Sequence, residues 1–177
     1  GKTLLNMFSY TGAFSVAAAF GGASQTTSVD LAKRSLDKTR EQFTMNGIDP
    51  ESQRIYVMDV FGYFNYAKKK ELSYDVVVLD PPSFARNKKK TFSVAKNYGE
   101  LVQESIDILN KEGLLIASTN AANVSREKFR KMVEQALKNK NVKFDIFQEE
   151  HLPADFKVAS SFPEGDYLKV LFIQIKK

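Results

Sequence analysis

The amino-acid sequence predicts an open, mostly parallel, doubly wound α/β sheet that ends in an antiparallel strand pair. Three observations carry that prediction. Short apolar stretches rich in β-branched residues alternate with segments of helical period five times over, the pattern of successive β–α units. Gly21-Gly22, Asn46-Gly47 and Pro81-Pro82 stand at the boundaries between them, where chain breakers belong. The last two strand-like stretches have no helix between them, so they pair antiparallel.

Taken in order, residues 4–8 read as a buried strand and Ala13 to Phe20 as a helix stopped by Gly21-Gly22. Residues 25–30 form a second strand. Residues 31–46 then read as a helix whose apolar face includes Leu31, Leu36 and Phe43. Residues 54–58 are a third strand and 60–70 a short basic helix. Residues 74–80 have the strongest strand character in the chain and break sharply at Pro81-Pro82. Residues 94–110 are helical, 113–119 a fifth strand, and Ser125 caps a helix reaching about Lys138, with Lys128 where a capping box has Glu. Residues 142–150 and 167–175 are the terminal pair.

All 177 residues fit one domain, and a chain of this size buries roughly 70% of the surface it exposes when unfolded. Hydrophobic residues make up 43% and charged residues 27%, a globular and not a disordered composition. Twenty-six basic against 21 acidic residues leave a net charge of +5, compatible with a nucleic-acid partner. There is no Cys and a single His, so disulfides, thiolate nucleophiles and Cys/His zinc sites from this chain are excluded, and no metal is expected. No apolar run approaches the ~20 residues of a membrane span and no signal peptide is visible, so a cytoplasmic domain is expected. The first core strand begins at residue 4, which suggests a chain cut from something longer.

In sheets of this type the ligand sits beyond the carboxyl ends of the strands. After the first strand comes Phe8-Ser9-Tyr10-Thr11-Gly12-Ala13-Phe14, with one glycine where a pyrophosphate fingerprint needs three. That turn suits an uncharged or sulfonium-bearing ligand, or is an ordinary strand–helix turn. Asp30 ends the second strand, where a carboxylate accepts from ribose hydroxyls or caps a helix. Asp59 ends the third, where it accepts from an adenine amino group or caps the helix at Val60. Asp80-Pro81-Pro82-Ser83-Phe84 after the fourth strand is the sharpest signal. Two prolines remove backbone donors and, with the Asp80 carboxylate, leave an array of acceptors suited to an amino or imino group. Such an array aims a nitrogen lone pair at a methyl donor, a reaction that depends mainly on positioning.

Residues 6–17, Asp30, Asp59, Asp80-Pro81-Pro82-Ser83-Phe84 and Phe162-Pro163-Glu164-Gly165-Asp166-Tyr167-Leu168-Lys169 together resemble, in order along the chain, a known family. It is the class I S-adenosylmethionine-dependent methyltransferases of the bacterial 23S ribosomal RNA group (RlmI and RlmK/L relatives). The resemblance implies a Rossmann-like methyltransferase fold with an RNA-binding PUA-type domain upstream. It also implies that Phe8, Ser9, Tyr10, Thr11, Gly12 and Phe14 line the methionine end of the cofactor. Asp30 then holds the ribose, Asp59 with Val60 the adenine, and Asp80, Pro81, Pro82 and Ser83 form the transfer site.

One departure bears on the substrate. The cytosine-C5 branch of the family carries a nucleophilic Cys after the fifth strand, where this sequence has Ser118-Thr119-Asn120. Hydroxyls are far poorer nucleophiles than a thiolate. A base nitrogen needs no covalent activation, which favours N-methylation, with guanine preferred. The run Arg86-Asn87-Lys88-Lys89-Lys90 beside the Asp-Pro-Pro turn suits phosphate contacts, or is a solvated loop. Phe84 and Tyr10 can stack on an extruded base or sit in the core. Gly1-Lys2-Thr3 precedes a strand where a P-loop lysine opens a helix, and no G-x-S-x-G elbow occurs. His151 reads as a loop histidine. The expectation is an S-adenosylmethionine-dependent methyltransferase acting on a base of 23S ribosomal RNA. A cofactor- or RNA-binding module without transfer activity and a small-molecule methyltransferase are the alternatives.

Overall fold

The structure, a computed structural model, describes residues 1–86 and 91–176. Nine strands and five α-helices follow one another as β1 (Thr3–Met7), α1 (Ala13–Phe20), β2 (Gln25–Asp30), α2 (Lys33–Met45), β3 (Arg54–Val57), α3 (Val60–Lys69), β4 (Tyr74–Leu79), β5 (Phe84–Arg86), β6 (Thr91–Ser93), α4 (Val94–Ile108), β7 (Leu109–Thr119), α5 (Arg126–Asn139), β8 (Lys143–Glu150) and β9 (Lys169–Lys176). Seven strands form the sheet in the order β3-β2-β1-β4-β7-β9-β8, with β5 and β6 as a separate hairpin. β1, β2, β3, β4 and β7 are parallel, and β9 runs antiparallel to both β7 and β8. This is the doubly wound sheet that the sequence predicts. The chain steps from β1 outward to β3, then returns to β4 beside β1, so the topological switch point lies between β1 and β4.

The pleat divides β1 between two different interiors. Leu5 and Met7 are fully buried in a cluster with Tyr63 and Phe64 of α3, Tyr98 of α4 and Phe129 of α5. Asn6, on the other face, donates to Ser15 Oγ of α1 at 3.2 Å, and Ser15 meets Ser28 of β2 at 2.7 Å. One layer is therefore large and apolar, the other thin and built on small hydroxyl side chains. α1 and α2 approach closely because those hydroxyls are short. Gly12 shows the tightness: it opens α1 at φ +79°, and a Cβ there would stand 2.5 Å from Thr39 Cγ2 of α2.

Three local expectations need correction. Leu31 lies before α2, not on its apolar face, and is exposed, because Asp30 turns the chain first and its Oδ1 accepts from Ala32 N. α4 stops at Ile108 and β7 starts at Leu109, since the stretch before Gly113 pairs with Tyr74 of β4. The β5–β6 hairpin has no counterpart in the sequence reading. Its strands are three residues each, too short for a period to show.

Candidate active site

Parallel pairing brings the ends of β1, β2, β3, β4 and β7 to one rim. Antiparallel pairing of Thr119 with Lys169, and of Glu150 with Val170, brings the start of β9 and the end of β8 to the same rim. Every polar candidate after a strand thus lies along one edge, with the β1 and β4 turns facing each other across the switch point.

The β1 turn is held in a strained form. Phe8 and Tyr10 both have positive φ, 59° and 48°, conformations that cost non-glycine residues of order 1–3 kcal/mol each. Ser9 N donates to Val29 O at 3.0 Å, and Gly12 N to Ser9 O at 2.7 Å. The Asp30 carboxylate completes the frame: Oδ2 accepts from Tyr10 N at 2.9 Å while Oδ1 accepts from Ala32 N at 2.8 Å. Each oxygen keeps a second lone pair, so Asp30 can still accept two hydroxyls. Ser9 is buried, Thr11 half-buried, and Tyr10 and Phe14 are exposed. Phe8 is half-buried, its ring 5.9 Å from that of Phe92 in β6.

Asp59 realises the capping role: its Oδ1 accepts from Phe61 N at 3.1 Å and from Gly62 N at 3.2 Å. The Val60 side chain enters the core. Its N–H, the first of α3, has no acceptor within the helix.

Across the switch point the geometry is made by side chains. Asp80 Oδ1 accepts from Ser118 Oγ at 2.9 Å, and Ser83 Oγ donates to Asn120 Oδ1 at 2.8 Å. These two bonds tie the Asp-Pro-Pro turn to the end of β7. Asp80 Oδ2 has no hydrogen bond among the described residues. Pro81 is buried, whereas Pro82 and Ser83 are exposed. Beneath them the fully buried Tyr98 hydroxyl lies 2.8 Å from Ser118 O and 3.2 Å from Leu79 O, joining the ends of β7 and β4. Burial first, and then the charge of Asp80, push the Tyr98 hydroxyl well above the usual tyrosine range, so it stays a donor. Sequence reasoning gave no signal for Tyr98, which lies in mid-helix 18 residues after Asp80. Phe84 is 61% exposed and Tyr10 68%, so neither belongs to the core. Arg86 ends β5, and Lys88 and Lys89 lie outside the described residues. Among the described residues no group of three or more His, Cys, Asp or Glu could hold a metal, and no helix is long and apolar enough to cross a membrane.

Asp30 with open lone pairs, the start of α3 beside Asp59, and the acceptor turn at Asp80 opposite them thus lie along one rim. Residues 1–159 match the family of S-adenosylmethionine-dependent methyltransferases. The chain belongs to that family. YwbD of Bacillus subtilis, provisionally assigned as a ribosomal RNA large subunit methyltransferase, is 56% identical over 99% of this chain and 44% of its own length. Ribosomal RNA large subunit methyltransferase I of Shewanella denitrificans is 31% identical over 99% of this chain and 44% of its own length. SMU.776, provisionally assigned as a methyltransferase and crystallised with SAH, has a TM-score of 0.92 at 49% identity, covering 98% of this chain and 45% of that one. A methyltransferase structure from Streptococcus mutans, also provisionally assigned as dependent on S-adenosylmethionine, has a TM-score of 0.89 at 46% identity, with 98% and 44% covered. The chain therefore spans a little under half the length of these relatives. It has the class I methyltransferase fold, and its cofactor is S-adenosylmethionine.

Proposed function

We propose that the protein N-methylates a guanine of large-subunit, 23S ribosomal RNA. The observation that carries this reading is the Asp80 turn bound to Ser118 and Asn120, in a chain with no cysteine. The Asp80 carboxylate suits a nitrogen nucleophile, and this sequence offers no thiolate to activate a pyrimidine carbon. The names of YwbD and of methyltransferase I favour ribosomal RNA as the acceptor, and the charge of +5 suits a phosphate-rich partner.

In this reading Phe8 to Gly12, with Phe14, hold the methionine end of the cofactor, through a backbone already fixed by Asp30. Asp30 accepts from the ribose hydroxyls. Asp59 and the Val60 N–H meet the amino group and a ring nitrogen of adenine. S-adenosylmethionine supplies a sulfonium methyl, whose C–S electron pair stays on sulfur as the base nitrogen forms the new C–N bond. If the target is the exocyclic amine, Asp80 and the Pro81 and Pro82 carbonyls accept from its N–H groups and orient it, and Asp80 Oδ2 takes the proton. Ring N7 has no proton to lose. Phe84 stacks on the base, and Arg86, Lys88 and Lys89 contact phosphates.

Mass spectrometry of nucleosides from 23S ribosomal RNA of a deletion strain tests the assignment. One methylated guanosine should disappear, return with the wild-type gene, and stay absent with Asp80→Ala. Unchanged methylation in the deletion strain would end the reading.

A further inference from the structure

Beside the transfer site lies a cleft of about 590 Å³ to which none of the roles above applies. Its size falls in the range of small-molecule sites, roughly 300–1,000 Å³. One wall is the turn after β7, with Asn120. The other is the segment between β8 and β9, with Phe156, Phe162, Glu164 and Tyr167. Because Asn120 also accepts from Ser83 Oγ, cleft and Asp-Pro-Pro turn share a residue.

We propose that this cleft receives the target base, extruded from the RNA, and that Glu164 selects guanine. The inference rests on the function proposed above and names the residues that would give it specificity. Phe156 is 49% and Phe162 60% exposed, aromatic surface that a stacked base would cover. Phe156 meets Tyr167 edge-on at 6.3 Å, which fixes its ring. Glu164, exposed in a cleft wall that also carries Lys157, has no hydrogen bond or ion pair among the described residues. An ionised carboxylate only accepts. Guanine alone among the four bases presents two adjacent donors, N1–H and the exocyclic amino group, on its pairing edge. Adenine and cytosine each place a ring acceptor there, and uracil flanks its single donor with two carbonyls, all of which a carboxylate repels.

The two walls are joined beneath the cleft. The ammonium of Lys169, buried at the start of β9, donates to Ala121 O and to Tyr167 O, each at 2.8 Å. Arg126 of α5 pairs with Asp166 at 2.6 Å, next to Glu164 on the same wall. Gly165 lets the wall turn tightly: a Cβ there would stand 3.0 Å from Val158 Cγ1. The cleft is thus preformed, and Lys169 is its positioning residue.

The test uses the full-length, ¹⁵N-labelled protein saturated with S-adenosylhomocysteine and titrated with GMP, AMP and CMP. GMP should shift the amides of Ala122, Val158 and Gly165 and bind about tenfold better than AMP or CMP, as a bidentate base contact allows. Glu164→Gln should bring that preference below about threefold, and Phe162→Ala should weaken all three nucleotides, with S-adenosylhomocysteine affinity unchanged in both. GMP shifts that avoid this cleft, or a guanine preference that survives Glu164→Gln, would overturn the proposal. If GMP binds as expected while the deletion strain keeps every methylated nucleoside, the ribosomal RNA assignment fails and the pocket stands.

Discussion

The two sides of the switch point are built by different means. On the β1–β3 side the bonds run to the turn's own backbone N–H groups, with the Asp30 carboxylate taking Tyr10 N and Ala32 N from one position nearby and Ser9 N bonded to Val29 O. On the β4–β7 side the turn is held by side chains from distant parts of the chain: Asp80 to Ser118, Ser83 to Asn120, and Tyr98 beneath both. Fixing the backbone of a turn suits, in the proposed reading, a ligand that never varies. Fixation by side chains leaves neighbouring surface, the segment before β9, for the substrate in the proposed reading. Binding and transfer should therefore separate by mutation.

The largest effect is expected at the side-chain half. Asp80→Ala removes the acceptor proposed to orient the nitrogen and breaks the Ser118 Oγ bond. Single-turnover methyl transfer to 23S ribosomal RNA should fall about 10²–10⁴-fold. Less than a tenfold loss would move the orienting role elsewhere. Next comes Asp30→Ala, which removes both backbone ties and the proposed ribose acceptors. Cofactor affinity by calorimetry should drop about 10–100-fold, with transfer recovering at saturating S-adenosylmethionine. A transfer defect that saturation does not relieve would erase the division between the halves.

Gly12→Ala sharpens the comparison through stability, since a Cβ at φ +79° meets Thr39 within 2.5 Å. A loss of about 1–2 kcal/mol is expected in urea unfolding, from the left-handed conformation and the displaced side chain. The smallest effect concerns Asp75, at the opposite end of β4 from the site. It accepts from Thr3 N at 2.8 Å and from Asn110 Nδ2 at 3.1 Å. The Thr3 N–H, ahead of the Asn110 amide and the Thr3 hydroxyl, holds its carboxyl below the ordinary value despite some burial. A carboxylate depressed by folding contributes stability above its unfolded pKa and loses it as pH falls through the folded one. Asp75→Asn should cost about 1 kcal/mol at pH 7, and its stability should decline less steeply below about pH 4 than the wild type's. Parallel acid limbs would assign the depressed carboxyl to another residue.

Legibility in the sequence follows the same division. The order of strands and the first turn were legible because each β–α boundary is local: strand, breaker, helix. Asp30 and Asp59 were legible as strand-end acids, and the structure shows that each fastens backbone N–H groups at the start of the following segment. In the β4–β7 half the Asp-Pro-Pro turn was legible as the sharpest local signal, but its fastening was not, because those bonds join residues 37 and 38 positions apart and no period or motif encodes that pairing. Tyr98 reads as an ordinary apolar position of α4 until β7 is folded beside it. Lys169 looks like one more surface lysine in a basic chain. Only the antiparallel register that sets it opposite Thr119 buries it.

The central claim, that one rim carries a binding half and a transferring half, is tested most directly by calorimetric titration of full-length Asp80→Ala with S-adenosylhomocysteine. One-to-one binding within about twofold of the wild-type affinity is the expected result, because among the described residues the Asp80 carboxylate bonds to Ser118 on the β7 side and not to the β1 turn. A loss comparable to that of Asp30→Ala would contradict the account and make Asp80 part of the cofactor's own site.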